Sequence, residues 1–206
     1  TVVDAVAPAT QVSALPAYSP ATINVIWGGG DAGGSGIVTY DLQGRDGSTG
    51  TWADWLVGVT GTTLGYSGQT GHTYYFRSRG IDCAYNTEPW PAGDGDTHTL
   101  VDPYPPQTSV DPLPDHYQGT QIPISWGGFD PGDSGITLYD IQYRIGSGGS
   151  WTTLITQTAA TAGTFTGSSG HAYYLRSRAT DNAHNVEPWP AGDGDTSITM
   201  YTWGLT

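Results

Sequence analysis

The sequence predicts an all-β protein of two tandem β-sandwiches, and three observations carry this prediction. Residues 27–97 recur at 126–196 with a constant offset of 99 and no insertion, so the chain holds two copies of one unit. Glycine, proline, serine and threonine interrupt the sequence about every 8–12 residues, with short alternating or β-branched runs between them. No stretch shows the apolar periodicity of a helix. The 206 residues therefore divide into two domains, 1–102 and 103–206.

The strands of the first repeat are predicted from their own residues. Glycine-rich segments predict a turn at 28–36 and a hairpin at 47–50, and a long loop covers 82–95. Runs rich in β-branched, aromatic or alternating apolar residues predict strands at 23–27, 37–45, 52–56, 62–66, 73–81 and 96–101.

Charge and cysteine content exclude several classes of function. The net charge is -13, from nineteen acidic residues against six basic residues that are all arginines, so no nucleic-acid partner is expected. No apolar run reaches the roughly 18 residues that a membrane helix needs, so no membrane insertion is expected. The single cysteine, Cys83, aligns with Asn182, so no disulfide can form within the chain. Clustered carboxylates favour divalent cations as partners.

Motifs in both repeats resemble fibronectin type III domains, and the resemblance covers nearly the whole chain. They are Ile23-x-Val25-x-Trp27, Tyr40-x-Leu42 and Gly71-His-Thr-Tyr74-x-Phe76-x-Ser78-x-Gly80, with the copies Ile122-x-Ile124-x-Trp126, Tyr139-x-Ile141-x-Tyr143 and Gly170-His-Ala-Tyr173-x-Leu175-x-Ser177-x-Ala179. The sequence looks most like the tandem domains of bacterial and archaeal surface proteins. The resemblance implies seven-stranded immunoglobulin-like sandwiches, with tyrosine corners at Tyr74 and Tyr173.

The resemblance also implies an outward row of arginines and aromatic residues. Tyr75, Arg77 and Arg79 would face outward beside Asp41, Gln43 and Arg45, because side chains alternate along a strand. We expect Asp41 and Asp140 to pair with these arginines, and the guanidinium groups to stack on Trp52 or Trp55. The predicted structural ladder comprises Arg77, Arg79, Arg176, Arg178, Trp52 and Trp151. A ligand-binding aromatic face is the alternative interpretation.

Two acidic loops at one end of each sandwich predict calcium sites. Calcium takes six to eight oxygen ligands from carboxylates, amides and carbonyls. The candidate ligands are Asp31, Asp82, Asn86 and Glu88 in the first repeat and Asp130, Asp133, Asp181, Asn185 and Glu187 in the second. The second site is expected to be the better one, because Asp133 replaces Gly34. The alternative is that these side chains bond to the backbone and stabilise turns.

A further acidic pair precedes the last strand of each repeat. Asp94 and Asp96 recur as Asp193 and Asp195, each pair separated by one glycine. Two such aspartates could share an ion, but Asp-Gly is also a frequent turn sequence, and we favour the turn.

The ends of the chain suggest end-to-end assembly. Thr1-Val-Val-Asp4 matches Thr99-Leu-Val-Asp102, which ends the last strand of the first repeat, so the N-terminal segment could continue the sheet of a neighbouring subunit. A longer array of modules and a free tail are the alternatives. The proline-rich junction 103–106 predicts a stiff linker, with Asp102 as an extra cation ligand. The candidate assembly residues are Val2, Val3, Met200, Tyr201 and Trp203.

No residue pattern predicts catalysis. His72 and His171 precede a strand, His98, His116 and His184 have no repeat counterparts, and no two histidines have the spacing of zinc ligands. Phosphate loops, dinucleotide motifs and nucleophile elbows are not found in the sequence. We therefore do not expect an enzyme.

The leading interpretation is a non-catalytic, extracellular structural or assembly module of a surface protein or filament, stiffened by calcium. Its partners would be copies of itself or neighbouring modules of a longer chain, joined end to end. The alternative is a carbohydrate- or protein-binding accessory module of a larger secreted protein. Exposed, coplanar tryptophans would favour the alternative, and tryptophans packed against arginines would count against it; the candidates are Trp55, Trp90, Trp151 and Trp189.

Overall fold

The computed structural model of the protein describes residues 3–202 and consists of β-strands joined by turns and loops. Its contacts divide the chain into two compact units, which we call module 1 (Thr1–Pro103) and module 2 (Tyr104–Thr206). Each unit contains two facing sheets around one hydrophobic core. The predicted all-β fold of two sandwiches is confirmed.

Module 1 packs a three-stranded sheet against a five-stranded sheet. The smaller sheet has the order β1-β3-β6, and the larger has the order β2-β8-β7-β4-β5. All neighbours are antiparallel except β2 and β8, which are parallel. The strands are β1 (Ala9–Val12), β2 (Tyr18–Ser19), β3 (Thr22–Gly30), β4 (Ile37–Asp46), β5 (Ala53–Val59), β6 (Thr63–Ser67), β7 (Thr73–Asp82) and β8 (Thr97–Val101).

Module 2 repeats this topology with sheets β14-β11-β9 and β10-β16-β15-β12-β13. Its parallel pair is β10 and β16. The strands are β9 (Gln107–Val110), β10 (His116–Gln118), β11 (Gln121–Phe129), β12 (Ile136–Ile145), β13 (Thr152–Thr158), β14 (Ala162–Thr166), β15 (His171–Asp181) and β16 (Thr196–Tyr201).

The predicted count of seven strands is corrected to eight per module within residues 3–202. The first strand is divided, because β1 pairs with β3 in one sheet whereas β2 pairs with β8 in the other. Pro16 lies in the connection, where the chain crosses between the sheets; proline cannot donate a ladder hydrogen bond, which suits a break in pairing. The sequence of β1, Ala-Thr-Gln-Val, is only four residues long, so its two β-branched residues do not form a run that stands out as a strand.

The predicted glycine-rich turn at 28–36 is also corrected, because β3 continues through Gly30 and the turn occupies only 31–36. Gly28, Gly29 and Gly30 pair with β1. A Cβ atom on Gly29 would lie 2.1 Å from the carbonyl oxygen of Ala9, so a side chain cannot be accommodated there. Gly29 therefore permits a close approach of β1 to β3 rather than a bend.

Alternating burial along the strands builds each core. Tyr74, Phe76, Ser78 and Gly80 are buried on β7 as predicted, and their neighbours face outward. Trp27 and Phe76 lie at the centre of the module 1 core, with Trp55 packed against both. The predicted tyrosine corner is present, since the Tyr74 hydroxyl accepts a hydrogen bond from the backbone N–H of Gln69 at 3.1 Å.

Two carboxylates bridge the two sheets of module 1. Glu88 accepts hydrogen bonds from the backbone N–H groups of Thr10 on β1 and Gly80 on β7, both at 2.9 Å. Asp96 accepts from the N–H of Val12 at 2.8 Å and from the N–H of Ser78 at 2.9 Å. β8 pairs with β7 only as far as Phe76, so these side chains replace the ladder acceptors that β7 would otherwise lack.

The same bridge recurs in module 2. Glu187 accepts from the N–H groups of Thr108 and Ala179. One carboxylate oxygen of Asp195 accepts hydrogen bonds from the backbone N–H groups of both Val110 and Ser177. The bridge also covers the edge strands β1 and β9, whose free N–H groups could otherwise pair with another chain.

We predict that Asp96→Ala destabilises module 1 by about 1–3 kcal/mol, since it leaves several inward-facing donors without an acceptor. Thermal and urea unfolding of the whole chain measure this. Asp94→Ala is the matched control, because the Asp94 side chain is 69% exposed and its ion pair with Arg45 contributes at most about 1 kcal/mol. Equal effects of the two variants would contradict the bridging role.

Candidate functional site: an arginine–tryptophan ladder and an acidic pole

A stack of alternating guanidinium groups and aromatic rings covers the outer face of the five-stranded sheet in module 1. Arg45 lies 4.6 Å from the ring centroid of Trp52, and Arg77 lies 4.3 Å from the same ring. Arg77 and Arg79 then flank Trp90, at 5.1 and 4.6 Å. Such cation–π contacts each contribute about 0.5–2 kcal/mol, depending on burial. We call this row the ladder.

Strand register positions the ladder. β4 and β7 pair so that Asp41 lies opposite Arg79 and Gln43 lies opposite Arg77. Asp41 accepts two hydrogen bonds from Arg79, at 2.9 and 2.8 Å, which is the predicted cross-strand ion pair. Arg77 donates to the Gln43 side chain and to the carbonyl of Pro91, so its position is fixed on both sides. Arg45 pairs with Asp94 at 2.5 Å.

Module 2 carries the same ladder. Arg144 and Arg176 flank Trp151 at 4.6 and 4.0 Å, and Arg176 and Arg178 flank Trp189 at 4.7 and 4.6 Å. Asp140 pairs with Arg178, the second ion pair that the sequence predicts, and Arg144 pairs with Asp193. The two aspartates of each acidic pair therefore have different roles. Asp94 and Asp193 pair with the first arginine of the ladder, whereas Asp96 and Asp195 bridge the sheets.

The ladder differs from the prediction in its tryptophans. Trp55 packs edge-on against Trp27 in the core, at a centroid distance of 6.1 Å, and takes no part in the stack. Trp90 and Trp189 were missed as ladder members because they lie in loops outside any regular strand pattern. A signal was available, since Pro89-Trp90-Pro91 recurs as Pro188-Trp189-Pro190. The carbonyl groups of Pro91 and Pro190 accept hydrogen bonds from the ladder arginines.

The ladder occupies the tryptophan faces that a sugar ring would need. Trp52, Trp90, Trp151 and Trp189 are half-buried, and each lies against two guanidinium groups. By the criterion set from the sequence, this packing counts against carbohydrate binding on tryptophan faces.

Burial and mutual repulsion act on the central arginine of each ladder. Burial and the neighbouring Arg45 hold the pKa of Arg77 below its usual value, partly offset by Asp96. Burial and Arg144 act in the same way on the pKa of Arg176. For Asp140, burial raises the pKa, but hydrogen bonds from the Gln157 N–H, the Thr156 hydroxyl and Arg178 outweigh it and leave the pKa lowered.

Three carboxylates meet at one pole of module 1. Asp4, Asp31 and Asp82 each place an oxygen within 4.8 Å of the others. Asp31 and Asp82 are two of the predicted calcium ligands, whereas Asp4 was not among them. Its signal was the match of Thr1-Val-Val-Asp4 to Thr99-Leu-Val-Asp102, which we used only as a sign of assembly. No ion pair found within residues 3–202 involves these three carboxylates.

Backbone hydrogen bonds hold each member of this acidic pole. Asp4 accepts from the N–H groups of Val6 and Ser35, and Asp31 accepts from those of Gly33 and Gly36. Asp82 is fully buried and accepts from the N–H groups of residues 84 and 86. The turn-stabilising interpretation therefore describes these contacts, and the close approach of three anions makes the same residues candidates for holding a cation.

The remaining predicted ligands lie in different surroundings. Asn86 donates to Asp82 and to the carbonyl of Asp4, so its amide nitrogen faces the pole. Glu88 and Glu187 are engaged in the sheet bridges described above. In module 2, Asp130, Asp181 and Asn185 repeat the turn contacts of their module 1 counterparts, and Asp133 is exposed, with a positive φ of 65°.

The assembly candidates are placed differently from one another. Val3 is 84% exposed, and Tyr201 is partly buried at the end of β16. Met200 is fully buried in the module 2 core, so its side chain packs inside the module and is not presented to a partner. Val2 and Trp203 lie outside the described residues.

Solved structures similar to the chain are tandem fibronectin type III modules. They include the fibronectin(III)-like modules of CbhA from Clostridium thermocellum, with 12% identity, a TM-score of 0.42, and coverage of 94% of this chain and 95% of that chain. The FN1–FN3 domains of chicken CNTN1 have 12% identity, a TM-score of 0.40 and coverage of 89% and 62%. A two-domain fibronectin type III segment of chicken tenascin has 17% identity, a TM-score of 0.36 and coverage of 88% and 95%.

Comparison with protein-family models finds no match, and comparison with curated proteins finds no relative. The fold assignment therefore rests on the strand order and register of each module. Within residues 3–202, the structure has no helix that is long and apolar enough to cross a membrane.

We predict that the Asp140 carboxylate makes module 2 less stable in acid. Because its pKa in the folded state lies below the ordinary value of 3.8, its contribution is present above that value and is lost as the pH falls through the folded pKa. Urea unfolding from about pH 5 to about pH 2 should show the free-energy difference between the unsubstituted chain and Asp140→Asn shrinking as the pH falls. Asp115→Asn, on an exposed carboxyl group of the same module, is the control. A difference independent of pH would contradict the assignment.

Proposed function

We propose that the protein is a non-catalytic extracellular structural module, a repeating unit of a surface protein or filament, whose acidic pole is stiffened by calcium. The observation that carries the proposal is the ladder, present with the same residues in both modules. The ladder holds the strands of each five-stranded sheet together on its outer face through cation–π contacts and ion pairs. These contacts make each repeated module more rigid.

The histidine contacts support a non-catalytic role. His72 pairs with Asp46 at 2.6 Å, and His98 stacks on Tyr75 at a centroid distance of 4.8 Å. Each ring is thus used in packing at the sheet surface. Cys83 is exposed, and its backbone N–H donates to the carbonyl of Gly36. This hydrogen bond joins the loop after β7 to the turn before β4.

The acidic pole supports calcium binding through its charge and its oxygens. Carboxylate oxygens that lie within 4.8 Å of one another repel by roughly 1 kcal/mol in water and by several times more in a partly buried site. A divalent cation would remove this repulsion, and three carboxylates can supply up to six of its ligand oxygens. Asp4 belongs to the segment before β1, so a bound ion would tie that segment to the turns 31–36 and 82–86.

End-to-end association is supported by the exposed apolar residues before β1. Val3 and Val6 are 84% and 52% exposed and lie outside any strand of module 1. The backbone N–H of Val6 is bonded to Asp4, so we assign strand addition to the edge of a neighbouring sheet to the residues before Asp4. The high negative charge keeps separate copies apart in solution and makes cations relevant to their association.

We predict that calcium raises the melting temperature of module 1 and that a chelator reverses the change. A ligand at a hundred times its dissociation constant stabilises the folded state by about 2.7 kcal/mol. Asp31→Asn should abolish this gain. The N–H groups of Gly33 and Gly36 bond to different oxygens of Asp31, so the single asparagine oxygen keeps one of these two turn contacts, and the melting temperature in chelator gives the baseline of the variant. Asp94→Asn is the surface control. Identical melting curves in calcium and chelator would refute calcium binding.

We predict that electron microscopy of the intact chain shows fibres with a repeat of about two module lengths. Deletion of residues 1–3 should abolish the fibres but leave both modules folded, because Asp4 and all the strands remain. Circular dichroism and unfolding curves check the fold of the deletion variant. Single particles from the intact chain would contradict an assembly role, and fibres from the deletion variant would contradict the role of the N-terminal segment.

A further inference from the structure

Module 2 has a cavity of about 380 Å³ on the outer face of its five-stranded sheet, beyond the last rung of the ladder. β12 contributes Leu138 and Asp140, β15 contributes Arg178, and the bulged strand β13 contributes Gln157. His184 and Val186 come from the loop that follows β15, which is held against the strand by a bridge between Thr180 and Val186. We call this the His184 cavity. Its volume is at the lower end of small-ligand sites, about 300–1,000 Å³.

The two modules differ at this place although they agree along the ladder. The positions of Leu138, Gln157, Thr180, His184 and Val186 are occupied in module 1 by Thr39, Gly58, Ile81, Tyr85 and Thr87. Asp140 and Arg178 keep their counterparts, Asp41 and Arg79. The two modules therefore share the ion pair and differ in the side chains around it.

Gln157 is the most informative of these differences. Its φ is 48°, in the left-handed region, where module 1 has Gly58 at φ 66°. A side chain in this region costs about 1 kcal/mol or more, whereas glycine adopts it freely. The fold is satisfied by glycine at this bulge, and the backbone N–H of residue 157 bonds to Asp140 just as that of Gly58 bonds to Asp41. The bulge therefore does not require the glutamine side chain, and Gln157 is one of the residues that line the cavity.

The cavity wall is polar but close to neutral. Arg178 donates through Nε to Asp140, so the two charges compensate each other. No hydrogen bond of the Arg178 Nη1 group is found within residues 3–202, which leaves N–H donors for a ligand. The Gln157 amide and the His184 imidazole can each both donate and accept, and Leu138 and Val186 add an aliphatic surface.

From this combination we infer that the His184 cavity binds a neutral saccharide. A pyranose ring carries hydroxyl groups that donate and accept at its rim and C–H groups on its faces, which matches amide, imidazole and guanidinium groups beside aliphatic side chains. An anionic ligand is disfavoured by the net charge of -13 and by the neutralisation of Arg178. The site lies apart from the tryptophan faces, and the inference does not depend on assembly or on calcium.

Nuclear magnetic resonance titration of the intact chain tests this inference. The probes are glucose, galactose, mannose and N-acetylglucosamine, each added to millimolar concentrations, with glucuronate as the charged comparison. Saturable shifts are expected for the Gln157 side-chain amide, the Arg178 Nε–H and the His184 ring with at least one neutral sugar. The corresponding groups of module 1, on Arg79 and around Gly58, should remain unshifted.

Two variants take their residues from module 1, so the fold is known to accept them. Gln157→Gly relieves the strained φ and should preserve or raise stability, yet weaken sugar binding by about fivefold or more, the factor expected for one lost hydrogen bond. His184→Tyr should have a similar effect on binding. Gly58→Gln in module 1 is the matched control and should not change the titration.

Any of four results would overturn the inference. No neutral sugar gives a saturable shift, both modules shift equally, only glucuronate gives a response, or the affinity of Gln157→Gly is unchanged. Since Gln157→Gly is expected to fold at least as well as the unsubstituted chain, a loss of binding in it cannot be ascribed to unfolding.

Discussion

Each sandwich depends on carboxylates that accept backbone N–H groups across its open side. β8 stops pairing with β7 after Phe76, and β1 faces the gap, so both strands need acceptors that no neighbouring strand supplies. Glu88 and Asp96 supply them, and both lie between β7 and β8. The connecting segment is therefore fixed at two points on the edge of the sandwich. Its path between those points carries Trp90 across the outer face, where the ladder arginines of β7 meet it.

The same principle accounts for much of the acid excess. Nineteen acidic residues against six arginines suggest an unbalanced surface, yet Asp82 and Asp181 are fully buried and bond to the backbone of their own loops. A carboxylate accepts through two oxygens and has no donor that could be left unpaired, so it suits a place where several N–H groups converge. The arginines are reserved for the ladder, where planar guanidinium groups stack on indole rings.

The sequence predicted what repeats with a regular period and missed what depends on the path of the loops. The outward row of β7 and its pairing with Asp41 follow from alternation along a strand, so they could be stated beforehand. Glu88 was assigned to a metal site because only its loop was visible in the sequence, and its contact with Thr10 spans 78 residues. β1 was missed because its pairing relies on the bare backbone of Gly29 rather than on side chains. Asp4 reached the acidic pole through tertiary contacts that no local pattern encodes.

Comparison of the two modules separates what the fold requires from what it tolerates. The ladder and the bridges recur with the same residue types, because each member has a partner whose loss would leave a buried group unsatisfied. The bulge at Gly58 and Gln157 requires only a left-handed backbone conformation, which glycine adopts at a lower free-energy cost than glutamine. The glutamine side chain adds strain that the glycine of module 1 avoids, which is why Gln157 is central to the proposed ligand site. The proposed ligand site therefore belongs at the His184 cavity, where the modules differ, rather than on the ladder that they share.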